Sequence, residues 1–336
     1  MAADPLFSDL HARVKHAEKI AGVFPCFVLN LGTQGAGKSS SVARILDPND
    51  TLDGALPATV CSANTVTLDV DDYVRHYLTV TASAEQRQRQ IEYRAAADAV
   101  ITAGAEPVGL HDPAAASREE YYAARDAYAD PTRKILTTTA FERRANILRE
   151  ATGSGAGELI NEMRVASSHG YKVIIVLTMG GMPATLNGRL EERRRRTGQS
   201  YGKVTLGMLG QLGDNVVRLA QFADSIAVID NSGPAERTAP IVAVLRQVYR
   251  DPYNVAGLNA LEKDGIIFHL MGGAPSSYLR KPRTDLVDGG QYDLLRAYGM
   301  PMYALLFRAQ TTYDKRPVAA AAAAGATDGA VCRVWK

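Results

Sequence analysis

The segment Gly32-Thr33-Gln34-Gly35-Ala36-Gly37-Lys38-Ser39 satisfies the pattern G-x-x-x-x-G-K-[ST] at every fixed position. This pattern constrains a fold tightly, because it works only with a strand before it and a helix after it. Both are legible here. Val23 to Leu31 is a strand-length run, apolar on both faces, which suits the centre of a parallel sheet. Ser39 to Leu46 reads as a helix. The glycines at 32, 35 and 37 open backbone torsions closed to other residues, so successive N–H groups can turn inward around an anion. The positive end of the following helix adds to that attraction. Gly32, Thr33, Gln34, Gly35, Ala36, Gly37, Lys38, Ser39 and Ser40 are therefore expected to hold the phosphates of a nucleotide. Lys38 is expected to reach the β- and γ-phosphates, and the Ser39 hydroxyl to sit on Mg²⁺. The implied cofactors are ATP or GTP, with Mg²⁺.

The rest of the chain supplies a repeating order of strands and helices. Residues 6–20 space apolar positions along one helical face. Residues 48–63, rich in Asp, Pro, Gly and Asn, read as a surface insertion. Val66 to Val70 is a second candidate strand and Ile147-Leu148 a short third one. Residues 83–144 read as mostly helical, clearest over Glu85 to Ile101 and Ser117 to Ala129. Gly155 to Ser168 is a helix closed by Gly170. Val173 to Leu177 is the strongest strand. Residues 186–222 read as helical, Ile226 to Ile229 as a strand, and Ile241 to Leu245 as a further one. Gly265 to Gly273 reads as a buried strand or core segment. This alternation predicts an α/β fold: a P-loop kinase-type parallel sheet with helices on both faces, a helical insertion and a C-terminal extension. The expected divisions are an N-terminal helix over 1–20, a core over 21–246 with the insertion at 78–144, an extension over 247–316, and a flexible, Ala-rich tail over 317–336.

Composition excludes several classes. Net charge is +2, from 38 basic and 36 acidic side chains, so no global field draws the chain to nucleic acid. The three cysteines are scattered, with no CxxC pair and no Cys/His metal spacing. The first residues carry Asp4 and Asp9 and no apolar core, unlike a secretory signal. No apolar run approaches a membrane span. The expectation is a cytoplasmic protein with no membrane partner.

Leu68-Asp69-Val70-Asp71-Asp72-Tyr73 puts acids at the C-terminal end of a candidate strand, the edge where open α/β sheets bind ligands. On a strand, Asp69 and Asp71 share a face. A carboxylate there can take a proton from an acceptor hydroxyl or hold a water on Mg²⁺. The plainer alternative is that the acids cap the next helix.

Two further segments complete a pattern. Ile147-Leu148-Arg149-Glu150-Ala151-Thr152-Gly153 is a strand ending in Glu and Thr, and the strand at 173–177 is followed by a helix carrying Arg189 and then Arg193 to Arg196. With "LDVDDY", "LREATGSG" and "GYKVIIVLTM" in this order after the glycine loop, residues 20–245 resemble the zeta-toxin family of P-loop kinases. Those enzymes phosphorylate nucleotide sugars such as UDP-N-acetylglucosamine. The resemblance implies that Asp71 is the catalytic base and that Arg189 and a second arginine are lid arginines acting with Lys38; Arg196 is the best match for the second, with the register within Arg193 to Arg196 open. It also implies that Asp69, Glu150 and Thr152 face the acceptor, and that Ile229 to Gly233 forms the turn near the nucleotide base. Ala151 stands where the family has glycine, and residues 48–63 and 247–336 have no counterpart in it.

The function so implied is phosphotransfer from a nucleoside triphosphate to a hydroxyl of a small molecule, an enzyme of the kinase class. Two other readings stay open: a polynucleotide 5′-hydroxyl kinase, which would want a basic groove, and a non-enzymatic nucleotide-binding module whose C-terminal extension meets a protein partner.

Overall fold

The computed structural model describes residues 24–81, 88, 92, 122–197, 202–233, 238–249, 266–279 and 290–314. The helix expected at 6–20, most of the helical insertion and the Ala-rich tail lie outside these residues. Strands β1 (Cys26–Leu31), β2 (Thr65–Leu68), β3 (Asn146–Ala151), β4 (Lys172–Met179), β5 (Ser225–Asp230), β6 (Ile241–Tyr249) and β7 (Ile266–Gly272) form one seven-stranded sheet in the order β2-β3-β1-β4-β5-β6-β7. The first five in sequence pair in parallel, whereas β6 and β7 run antiparallel. The sheet is therefore mixed, and β6 runs through position 246, where an extension was expected to begin.

The helices are α1 (Lys38–Ile45), α2 (Val70–Thr81), α3 (Asp130–Arg143, continuous with a π-helical turn over Arg125–Ala129), α4 (Ala156–Ser168), α5 (Pro183–Thr197), α6 (Leu206–Ala220), α7 (Ser276–Leu279), α8 (Gly290–Ala297) and α9 (Met300–Asp314). No helix among the described residues is long and apolar enough to cross a membrane.

The two-residue alternation of the strands divides the core in two. Phe27, Leu29 and Leu31 of β1, with Ile175 and Leu177 of β4, face a large cluster shared with α2, α3, α4, α6 and the C-terminal helices. Cys26 and Val28, with Ile174 and Val176, face a smaller cluster beneath α1. Leu52, Ala55, Leu56 and Val60 complete that second cluster. Residues 48–63 are thus not a surface insertion. Their turn-rich composition hides four apolar anchors that cover one face of the sheet.

Three other expectations are corrected. The strand expected to reach Val70 stops at Leu68, because the Asp69 carboxylate accepts the Asp71 N–H at 2.9 Å and starts α2. The third strand is six residues long rather than two. Its buried Arg149 broke the apolar pattern, and Glu162 of α4 satisfies that charge at 3.3 Å. The helical stretch at 186–222 is two helices, the second capped by the Thr205 hydroxyl accepting from the Met208 N–H.

Candidate functional site

The C-terminal ends of β2, β3, β1, β4 and β5 lie side by side along one edge of the sheet. In register, Asn30 of β1 stands beside Glu150 of β3 and Val176 of β4, and Leu68 of β2 beside Arg149. Asp69, Glu150 and the start of the glycine loop are therefore neighbours across three strands. Gly32 N–H continues the pairing into the loop by donating to the Ala151 carbonyl at 3.3 Å.

The loop is held from below and from one side. Asn30, fully buried, donates from Nδ2 to the Lys38 carbonyl at 3.2 Å. Ser41 of α1 and Thr178 of β4 share a hydrogen bond of 2.6 Å. Asn231, just past β5, donates to the Ala36 carbonyl at 2.9 Å. Gly37 has φ of 87°, and a Cβ there would lie 1.9 Å from Asn231 Nδ2. Gly180, just past β4, is as tightly set: a Cβ would lie 2.3 Å from Ala36 Cα. Asn30, Thr178 and Gly180 were missed in the sequence. The Gly180-Gly181 pair after the strongest strand was the one available sign, since glycine at a strand end marks a close backbone approach.

Lys38 donates from Nζ to the Gly32 carbonyl at 2.8 Å and the Thr33 carbonyl at 3.4 Å. Burial lowers its pKa, and the charges of Glu150, Asp71 and Asp69 oppose that shift. All three acids thus lie within electrostatic reach of the ammonium. Burial pushes the Glu150 carboxyl up to about 7, helped by Asp69 and resisted by Lys38. Asp69 is also raised, by burial and then by Asp72 and Asp71, against the backbone N–H groups that it caps. Asp71 and Asp72 occupy the exposed first turn of α2 rather than a strand. Asp69 and Asp71 therefore do not share a strand face: the first is a helix cap, and the second projects from that helix. Thr152 is exposed and bonds to the Ser154 hydroxyl at 3.0 Å. Asn215 of α6 donates to the Gly153 carbonyl at 2.7 Å and fixes the loop that carries both.

Ser39 and Ser40 are exposed on the first turn of α1. Among the described residues no group of three or more His, Cys, Asp or Glu is placed to hold a metal ion. The donor set still fits Mg²⁺ of the kind that keeps its waters and binds through one hydroxyl or carboxylate plus substrate phosphates.

Arg189 donates to four carbonyls: Asn231 and Gly233 at 2.8 Å each, Gly180 at 3.3 Å and Gly35 at 3.5 Å. It knits the glycine loop to the segments after β4 and β5. The side chain of Arg196 lies outside the described residues. Arg193, one helical turn beyond Arg189, lies close enough for its charge to reach Lys38.

Comparison with known proteins adds little to this geometry. No protein-family model matches the chain, and no curated protein matches it. A solved structure from the PezAT chromosomal toxin-antitoxin system of Streptococcus pneumoniae is similar over 70% of this chain and 77% of its own, at 16% identity and a TM-score of 0.43.

Proposed function

We propose that the protein is a Mg²⁺-dependent phosphotransferase that moves the γ-phosphate of ATP or GTP to a hydroxyl of a small molecule, with nucleotide sugars as the first acceptor class to test. One observation carries the reading. A lysine of the phosphate loop and the carboxylates of Asp69, Asp71 and Glu150 converge from three strand ends on one edge of the sheet. A switch or motor also uses the loop and its metal; the carboxylate of Asp71, exposed at the start of α2 beside the loop, adds a base that an acceptor hydroxyl can reach.

Phosphoryl transfer asks mainly for positioning and charge neutralisation. The amides of Gly32 to Ser40 and the Lys38 ammonium hold the β- and γ-phosphates. The Ser39 hydroxyl and the phosphates would hold Mg²⁺, which would supply charge neutralisation on the transferring group, and the carboxylates of Asp69 and Glu150 on the same sheet edge could orient its waters. Asp71 takes the proton of the acceptor hydroxyl as that oxygen bonds to γ-phosphorus, and the bond to the β–γ bridging oxygen breaks to leave the diphosphate. Thr152 offers a hydroxyl to the acceptor. Arg189 sets the frame between loop and turn, and Arg193 joins Arg196 as a candidate for the charge that closes over the phosphoryl group.

The test pairs labelled ATP and GTP with nucleotide sugars, small metabolites and oligonucleotides, in wild type and Asp71→Asn. We expect one acceptor class to be labelled, and the variant to lose about 10²-fold or more in rate while binding nucleotide normally. An Asp71→Asn protein with full activity would remove Asp71 as the base. Tight nucleotide binding with no transfer to any acceptor would instead favour a non-enzymatic module.

A further inference from the structure

The sheet edge has two sides about the glycine loop. On one side, at the ends of β2 and β3, stand the carboxylates of Asp69, Asp71, Asp72 and Glu150. On the other side, past β4 and β5, lies a cleft of about 350 Å³ lined in part by Gly181, Met182, Asn231, Gly233, Pro240 and Leu294. In the proposed transfer the γ-phosphate faces Asp71 on the first side, so the nucleoside end is directed to the second. The cleft is within the size range of small-molecule sites, and Asn231 joins it directly to the loop through its bond to the Ala36 carbonyl.

Part of this cleft is built by chain beyond the parallel strands. Leu294, almost fully buried, comes from α8. Tyr278 of α7 is 2% exposed and donates its hydroxyl to Asp230 Oδ2 at 2.8 Å. The other carboxylate oxygen, Asp230 Oδ1, accepts the Ser232 N–H at 2.9 Å. The turn that floors the cleft is thus held by a side chain of the extension. The Tyr298 phenol lies near the same carboxylate, and burial raises it further above its ordinary range.

We infer that the C-terminal extension is part of the nucleotide site: Leu294 forms the wall against which the base of a purine nucleoside triphosphate packs, and Tyr278 is a positioning residue that fixes the turn beneath it. This rests on the phosphotransferase reading for its ligand and for which end of that ligand enters the cleft.

Two measurements test it. In the first, an azido-purine nucleoside triphosphate is photolysed on the wild-type protein, and the labelled peptide is mapped. Label within residues 290–297 supports the inference, whereas label confined to residues 26–230 overturns it. In the second, binding of ATP, GTP and inorganic tripolyphosphate is compared for wild type, Leu294→Trp and Tyr278→Phe. Filling the cleft should weaken both nucleotides by about tenfold or more and leave tripolyphosphate unchanged. Tyr278→Phe should raise the nucleotide KM with kcat preserved. Unchanged nucleotide affinity in Leu294→Trp overturns the wall, and unchanged KM in Tyr278→Phe overturns the positioning role. A wild-type protein that binds neither nucleotide nor tripolyphosphate overturns this inference and the phosphate-loop reading together; one that binds all three but transfers nothing overturns only the proposed function.

Discussion

Glu150 sits half-buried between a lysine and three aspartates, with its carboxyl raised from 4.5 to about 7. A carboxyl raised in the folded state is neutral there while the unfolded chain has already ionised. Its stabilising contribution is complete below about pH 4.5 and is lost as pH climbs to about 7. Glu150→Gln should therefore match wild type at pH 5 and melt higher at pH 8. The gain has a ceiling of about 3 kcal/mol and will be smaller, since the group is partly hydrated. A lower melting temperature for the variant at pH 8 would contradict the assignment. Gly180 is a second residue whose role is steric. Gly180→Ala places a methyl 2.3 Å from Ala36 Cα, so the loop must shift. Nucleotide affinity should fall, with a stability cost of about 1–3 kcal/mol typical of overpacking.

At the scale of elements, the acids after β2 illustrate how one short segment serves two ends. Asp69 caps α2 and turns the chain so that Asp71 projects from the helix beside the loop. Asp69→Ala should cost about 1 kcal/mol in thermal unfolding, whereas Asp69→Asn, an equally good cap, should cost almost nothing. Equal losses in both would mean that charge, not capping, is the contribution. The segment at 48–63 behaves as part of the core. Leu52 is fully buried, and Leu52→Ala should destabilise by about 2–5 kcal/mol. A surface insertion would show a change near zero. Its composition was legible and its role was not, because Leu52, Ala55, Leu56 and Val60, spaced as on a helix face, are set among Asp, Asn, Gly and Pro, which break a helix, so the helical period points to no element.

At the scale of the whole molecule, α6 joins the seven-stranded sheet to the C-terminal helices by close contact. A Cβ on Gly213 would lie 1.6 Å from the Tyr298 carbonyl oxygen, while one on Gly210 meets nothing within 4 Å. Gly213→Ala should destabilise by about 1–3 kcal/mol as the extension is pushed off. Gly210→Ala should stabilise by up to about 1 kcal/mol through helix propensity alone. The three-residue spacing of Gly207, Gly210 and Gly213 marks small residues in the sequence, but not which of them meets a partner.

By itself the sequence determined the local chemistry. The motif from Gly32 to Ser39 requires a strand, a turn of inward N–H groups and a helix, and continuous apolar runs specify the buried parallel strands β1, β4 and β5. These are short-range matters of backbone torsion and hydrophobic period. Only the tertiary structure decided that Asp69 caps while Asp71 projects, that Arg189 is bound to the carbonyls of Asn231 and Gly233, that Leu294 lines the cleft beside the loop, and that Tyr278 holds Asp230 there. Those outcomes depend on which strand ends lie side by side and how closely backbones approach. Contacts between residues far apart in the chain fix both, and no local period records them.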